Sequence, residues 1–266
     1  VLDVNGEYIF RFPLREDVAT SLGKEIVLLP ELAQVLSVQV PRFEWVSSMP
    51  AEGEFCFVGY PKISGVALNR EISASPLIAR QLGRILTELH AFSVKRAIRL
   101  GVRGGDIASW RCQYEEFYTW ARQHALPLLG EPVRSKAICL WEWFLDEVQA
   151  FRFPLVLIHD DLAEEHILCD DRRREVVGII DWGDAVIGDP AMDFVGLYGS
   201  GGRDLVERVL GTYQGDPGTG FWERVLFYEA ISPFHEIQYG LDTDDNDHLH
   251  RGIDAVCYNI EAWSYP

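Results

Sequence analysis

Two aspartates, Asp161 and Asp181, stand twenty residues apart, and each follows a short apolar run. Leu155 to Ile158 reads as a strand that delivers His159 and Asp161 into a tight loop. His166 follows five residues after Asp161, and Ile167 to Cys169 re-enters a strand. A third apolar run, Val176 to Ile180, ends on Asp181-Trp182-Gly183. Phosphoryl transfer asks for little covalent chemistry from a protein. It needs a group that orients the attacking hydroxyl or takes its proton, and ligands for a magnesium ion bridging the phosphates. Asp161 suits the first role; Asp181 and the residue at 166 suit the second.

The elements that must position these residues are legible in the periodicity. Val1 to Phe12 reads as two strands around Asn5-Gly6, a strong hairpin signal between apolar runs. A helix from about Ala19 places Leu22, Ile26 and Leu29 on one face. Val40 to Trp45 and Phe55 to Tyr60 look like further short strands. From Ser75 to Phe92, Ile78, Leu82, Ile85, Leu86 and Leu89 recur at helical spacing, with Pro76 in the first turn. Residues 106 to 150 read as aromatic-rich helix, and the chain from about Asp189 reads mostly as helices with Gly-rich connections. A small β-rich part followed by a larger helical one gives an α+β fold of two lobes, residues 1–62 and 63–266.

Composition narrows the partners. The net charge of −17 repels nucleic acid and anionic membranes; it would attract a polycationic small molecule, or serve solubility alone. No run of eighteen apolar residues is present to span a bilayer. Cys56, Cys112, Cys139, Cys169 and Cys257 are scattered, odd in number and without a CxxC pair, which fits buried thiols in a reducing cytoplasm.

The order Asp161, residue 166, Asp181 matches the Asp-x-x-x-x-Asn and Asp-Phe-Gly of protein kinases. His-x-Asp-Leu-x-x-x-His-Ile-Leu over 159–168, and Gly-Ile-Ile-Asp-Trp-Gly-Asp-Ala-x-Ile-Gly-Asp-Pro-Ala-x-Asp-Phe over 178–194, resemble the aminoglycoside phosphotransferases and their macrolide-kinase relatives. The resemblance extends to Tyr8-Ile-Phe-Arg-Phe-Pro13, to Glu25 and to a hinge at Gly59-Tyr-Pro-Lys-Ile-Ser-Gly65 that includes Tyr60 and Lys62. It implies a protein-kinase-like fold, with ATP or GTP as donor and Mg2+ as cofactor. Asp161 would be the catalytic Asp, with His159 in the same loop, and Asp181 the main magnesium ligand. His166 occupies a position that is Asn in many members, and imidazole is a poorer partner for magnesium than an amide oxygen. It would touch the metal weakly or hold Asp161 in place. Arg11 stands where the family usually has Lys, to hold the phosphates with Glu25 positioning it. The family's Gly-rich phosphate-covering turn would precede residues 1–4, so some tens of residues are expected before Val1.

For the acceptor, an aminoglycoside would want carboxylates such as Asp184, Asp193, Glu229 and Glu236, with Asp189 and Asp193 partly spent on holding their own loop. A macrolide would want an apolar pocket, for which Phe221, Trp222, Phe227 and Phe234 are candidates. A metabolic small-molecule kinase and a silent kinase-like binding protein are the remaining readings. Intact Asp161 and Asp181 speak against the silent one. Asp242 to Asp247 resembles the opening of a calcium loop but lacks its Gly and its closing Glu, and reads as an acidic surface turn. His248 and His250 lack a third metal partner. Gly199-Ser-Gly-Gly202 reads as a connection, and Arg172-Arg-Arg174 as a solvated turn.

Overall fold

The computed structural model describes residues 1–47, 57–170, 172 and 174–263. Cys56 and the start of the strand expected at Phe55 lie outside these residues. The elements are β1 (Leu2–Val4), β2 (Tyr8–Arg11), α1 (Glu16–Leu32), β3 (Trp45–Val46), β4 (Val58–Pro61), β5 (Val66–Ala67), α2 (Arg70–Ser73), α3 (Pro76–His90), α4 (Val94–Arg99), α5 (Ile107–His124), α6 (Val133–Asp146), β6 (Val156–Ile158), β7 (Ile167–Asp170), β8 (Glu175–Ile179), β9 (Val186–Gly188), α7 (Val195–Leu210), α8 (Phe221–Ile231), α9 (Pro233–Thr243) and α10 (Asn246–Ala262). Short 3-10 turns at Glu164–His166, Trp182–Asp184 and Pro190–Phe194 carry the candidate site. The fold is α+β, with a small β-sheet part and a larger helical part.

The chain forms two compact units. The first comprises residues 1–104 and 156–215, the second 105–155 and 216–266. In the first, an antiparallel sheet runs β1-β2-β4-β3. Its opening hairpin turns on Asn5 and Gly6, both at positive φ (57° and 70°), the geometry that suits Asn-Gly. The strand expected at Val40 to Trp45 forms only at Trp45–Val46; upstream of it, Gln39 bridges Gly178 instead. The position expected as the hinge, near residue 62, lies inside this unit at the end of β4.

Two smaller sheets bring the acidic residues together. β7 lies between β5 and β8, and β6 pairs antiparallel with β9. β6 therefore leads into the His159–Asp161 loop beside the strand that follows Asp181. Helix α3 buries Ile78, Leu82, Ile85, Leu86 and Leu89, the stripe its sequence spacing dictates, and packs on α7, which buries Leu197, Leu205, Val206 and Val209. At the start of α7, Gly196 has no room for a side chain, because a Cβ would run into the Leu162 carbonyl.

The second unit is helical around an aromatic core. Phe144 and Phe227 stack at 3.5 Å between ring centroids, and Trp141 meets Phe227 edge-on at 5.1 Å. The Trp110 indole donates to the Tyr228 hydroxyl at 3.1 Å, satisfying a buried polar group. Phe227 and Phe234 are fully buried in this core. Both side chains are spent on packing within this core.

Candidate active site

Burial orders the site from its base upward. His159 is wholly buried; one ring nitrogen, Nε2, lies 3.0 Å from the Ile180 carbonyl, and the ring packs 4.6 Å from that of Trp182. Burial pushes its pKa below the usual value, so it stays neutral. Donation from Nε2 to the carbonyl leaves Nδ1 without a partner. His159, expected among the catalytic residues, thus lies buried in the loop that carries Asp161, with its ring against the Ile180 carbonyl. Asp193 is also fully buried. Its carboxylate accepts from the backbone N–H of His159 and of Asp160, each at 3.0 Å, and sits 3.0 Å from His90 Nε2. His90 Nδ1 in turn lies 2.7 Å from the Tyr213 hydroxyl. Asp193 is thus a strap on the loop and is closed to an acceptor. Asp189, buried beside it, accepts from the Ala191 N–H at 2.9 Å.

Above this base, Asp161 and Asp181 each expose about half of their side chain (48%). Burial of the remainder raises the Asp161 carboxyl above its ordinary value, against the pull of His166 and His159. His166 Nδ1 lies 2.7 Å from the Asp161 carbonyl oxygen and 3.4 Å from its carboxylate, while Nε2 lies 3.9 Å from Asp181. A proton on Nδ1, donated to the carbonyl, would leave the Nε2 lone pair facing Asp181. Among the described residues no three-ligand cage of His, Cys, Asp and Glu exists. Asp181, with His166 Nε2 3.9 Å away, is a sparse donor set of the kind magnesium accepts, since that ion takes few protein carboxylates and completes its shell with phosphates and water.

Arg11 enters from β2. One guanidinium nitrogen lies 2.8 Å from the Glu25 carboxylate and another 3.4 Å from Asp181. Glu25 has no exposed surface, and burial lifts its carboxyl to about 7 in spite of Arg11. Tyr60, on β4, is buried, with its phenol pushed up to about 12 by desolvation. The Lys62 ammonium is engaged with Asp3 at 2.7 Å. Two more groups belong to the site and were not singled out from sequence. Lys24 donates to the carbonyls of Gly183 and Ala185 at 2.6 and 2.7 Å. Asp160 sits in the left-handed region (φ 69°), and burial, then Asp193 and Asp184, hold its carboxyl well above the usual range. A lysine and an aspartate beside motif residues carry no periodic signal of their own.

The sequence matches the APH phosphotransferase enzyme family over residues 1–228, most of its length. The chain belongs to that family. Viomycin phosphotransferase of Streptomyces vinaceus is 27% identical over 72% of this chain and 66% of its own length. An uncharacterized protein of Bacillus subtilis is also 27% identical, over 96% of this chain and 84% of its own. Among solved structures, an aminoglycoside phosphotransferase in complex with GDP and kanamycin superposes with a TM-score of 0.87 at 28% identity, covering 98% of this chain and 89% of that one. A macrolide 2′-phosphotransferase of Brachybacterium faecium superposes with a TM-score of 0.76 at 24% identity, covering 97% and 86%, a likeness of fold. Two of the expected acceptor residues, Glu229 and Glu236, lie in the second unit. The Glu229 carboxylate is half-buried, its pKa raised by that burial, and no side-chain partner is assigned to it. Glu236 is already engaged, 2.7 Å from His248 Nδ1 and 3.2 Å from Arg251.

Proposed function

We propose that this chain moves the terminal phosphoryl group of ATP or GTP to a hydroxyl of a cationic antibiotic of the aminoglycoside type. The observation that carries the reading is the convergence of Asp161, His166, Asp181 and the Arg11–Glu25 pair within a single unit, held from below by Asp193. Asp161 would orient the acceptor hydroxyl and take its proton as the oxygen attacks. Arg11, fixed by Glu25, would hold phosphate oxygens with a charge that cannot be lost. Asp181 would hold magnesium, with His166 Nε2 beside it. Bound there, the ion would neutralise the charge developing on the phosphates. Of the proposed acceptor carboxylates, Asp193 and Glu236 are committed elsewhere, which leaves Asp184 and Glu229 as the candidates to receive an ammonium group. The relatives that act on viomycin or bind kanamycin favour an antibiotic acceptor. The macrolide reading loses Phe227 and Phe234 to the core of the second unit.

The test is phosphoryl transfer from ATP and from GTP to a panel of aminoglycosides, viomycin and macrolides, run beside Asp161→Asn. We expect turnover with at least one cationic antibiotic and a loss of about 100-fold or more in the variant. Nucleotide affinity should stay within a few-fold of the parent. A variant retaining a tenth of the parent's turnover would remove Asp161 from the chemistry.

A further inference from the structure

Helix α1 contributes two consecutive residues to the site, and only Glu25 is accounted for by the phosphate-holding pair. Its neighbour Lys24 reaches the turn that follows Asp181. The ammonium donates to the Gly183 carbonyl at 2.6 Å and to the Ala185 carbonyl at 2.7 Å, and the side chain is half-buried. Around it lie Asp184, Glu25, Asp160 and Arg103, and desolvation outweighs the three acids in setting its proton affinity below the ordinary lysine value.

The turn is one that needs holding. Asp181 adopts φ 62° and ψ 65°, a left-handed conformation that costs a residue with a Cβ on the order of 1 kcal/mol or more. A single 3-10 turn, Trp182–Asp184, follows, and Ala185 leads into β9. One face of the turn is held by Trp182, whose indole donates to the Ile179 carbonyl at 3.0 Å. The carbonyls of Gly183 and Ala185 lie in a half-buried setting where Lys24 is their side-chain donor. Charge-assisted bonds of this length are among the stronger ones available to a backbone carbonyl. Lys24 also reaches further than the turn. β9 pairs with β6, so the same ammonium fixes the strand beside the one that carries the His159–Asp161 loop.

From this geometry we infer that Lys24 is a positioning residue for the metal–nucleotide complex: it clamps the Gly183 and Ala185 carbonyls so that the Asp181 carboxylate is presented in register with Arg11. Glu25 acts on the same turn from the other end, through Arg11 and its 3.4 Å approach to Asp181. Two adjacent residues of α1 therefore set both ends of one turn, and a displacement of the helix would move cation and metal ligand together. The inference rests on the reading of Asp181 as the magnesium ligand.

The experiment is calorimetric titration of the full chain with nucleotide, in excess Mg2+ and again in EDTA. It compares the parent with Lys24→Met, which keeps the length but donates nothing, with Lys24→Gln, which keeps two N–H donors, and with Asp181→Ala. We expect Lys24→Met to weaken Mg-nucleotide binding by about 10-fold while leaving metal-free binding within about 2-fold. Lys24→Gln should recover part of that loss. Equal losses with and without metal would make Lys24 a general structural residue and overturn the inference, as would an unchanged Mg-nucleotide affinity in Lys24→Met. Should Lys24→Met melt below the assay temperature, Lys24→Gln decides alone, with an expected loss of about 3-fold confined to the metal-bound arm. A parent that binds nucleotide equally with and without Mg2+, and is unaffected by Asp181→Ala, would instead overturn the reading of Asp181, and the inference with it.

Discussion

Glu25 has one carboxylate oxygen on Arg11, while the other is buried without a partner. The guanidinium offsets part of the desolvation, but burial still dominates and lifts the carboxyl from 4.5 to about 7. The folded chain therefore holds a proton on Glu25 that the unfolded chain releases over this window. Stability contributed by the group falls as pH rises from about 4.5 to about 7, by at most on the order of 3 kcal/mol. The ion pair that holds Arg11 needs the ionised form, so turnover should rise across the same window. Glu25→Gln separates the two effects. Urea unfolding at pH 5.5 and pH 8 should show the parent losing stability relative to the variant, while the variant turns over about 10-fold more slowly at pH 8. Identical pH slopes in parent and variant would place the titration elsewhere. The residues of this pair were legible because their types and order are chemical: an Arg on a strand, a Glu on the next helix, and two carboxylates at strand ends. The Lys24 clamp was not legible, because its partners are backbone carbonyls that look alike in every sequence.

At the scale of elements, periodicity carried the long pieces and failed on the short ones. The α3 stripe was readable because fifteen residues repeat one spacing, and Asn5-Gly6 because its turn demands positive φ. The two-residue strand β5 and the three-residue β9 have too little sequence to show any period, and only pairing with β7 and β6 makes them strands. Asp193 illustrates the same limit. Its place in the Asp189–Asp193 run hinted at a loop role, but three further bonding groups, at His90, His159 and Asp160, are assembled by tertiary structure. Removing that strap should be costly, since it orphans two buried N–H groups and leaves His90 without its acid. Asp193→Ala is expected to destabilise the fold by about 3–5 kcal/mol in urea unfolding. Tyr213→Phe, which takes only the hydroxyl from His90, should cost about 1 kcal/mol. Comparable losses from the two would mean the strap is not anchored on Asp193.

Over the whole molecule, the net charge of −17 acts on both proposed substrates with opposite sign. A cationic antibiotic is drawn toward the protein and a nucleotide is repelled, and salt screens both interactions as the Debye length shrinks from about 30 Å at 0.01 M to about 10 Å at 0.1 M. Among the described residues no helix is long and apolar enough to cross a membrane. The acceptor's kcat/KM should then fall by about 5-fold or more between roughly 20 and 300 mM salt, while the KM for nucleotide stays level or improves. Opposite trends for two substrates of one enzyme cannot come from a change in fold or turnover, which would move both together. Neutralising Glu229 as Glu229→Gln should raise the antibiotic's KM several-fold with kcat little changed, because an ammonium contact exists in ground and transition states alike. An acceptor whose capture ignores salt, with kcat/KM flat across the range, would mean that the pocket does not select for positive charge, and would return the macrolide class to consideration without touching the phosphotransferase assignment.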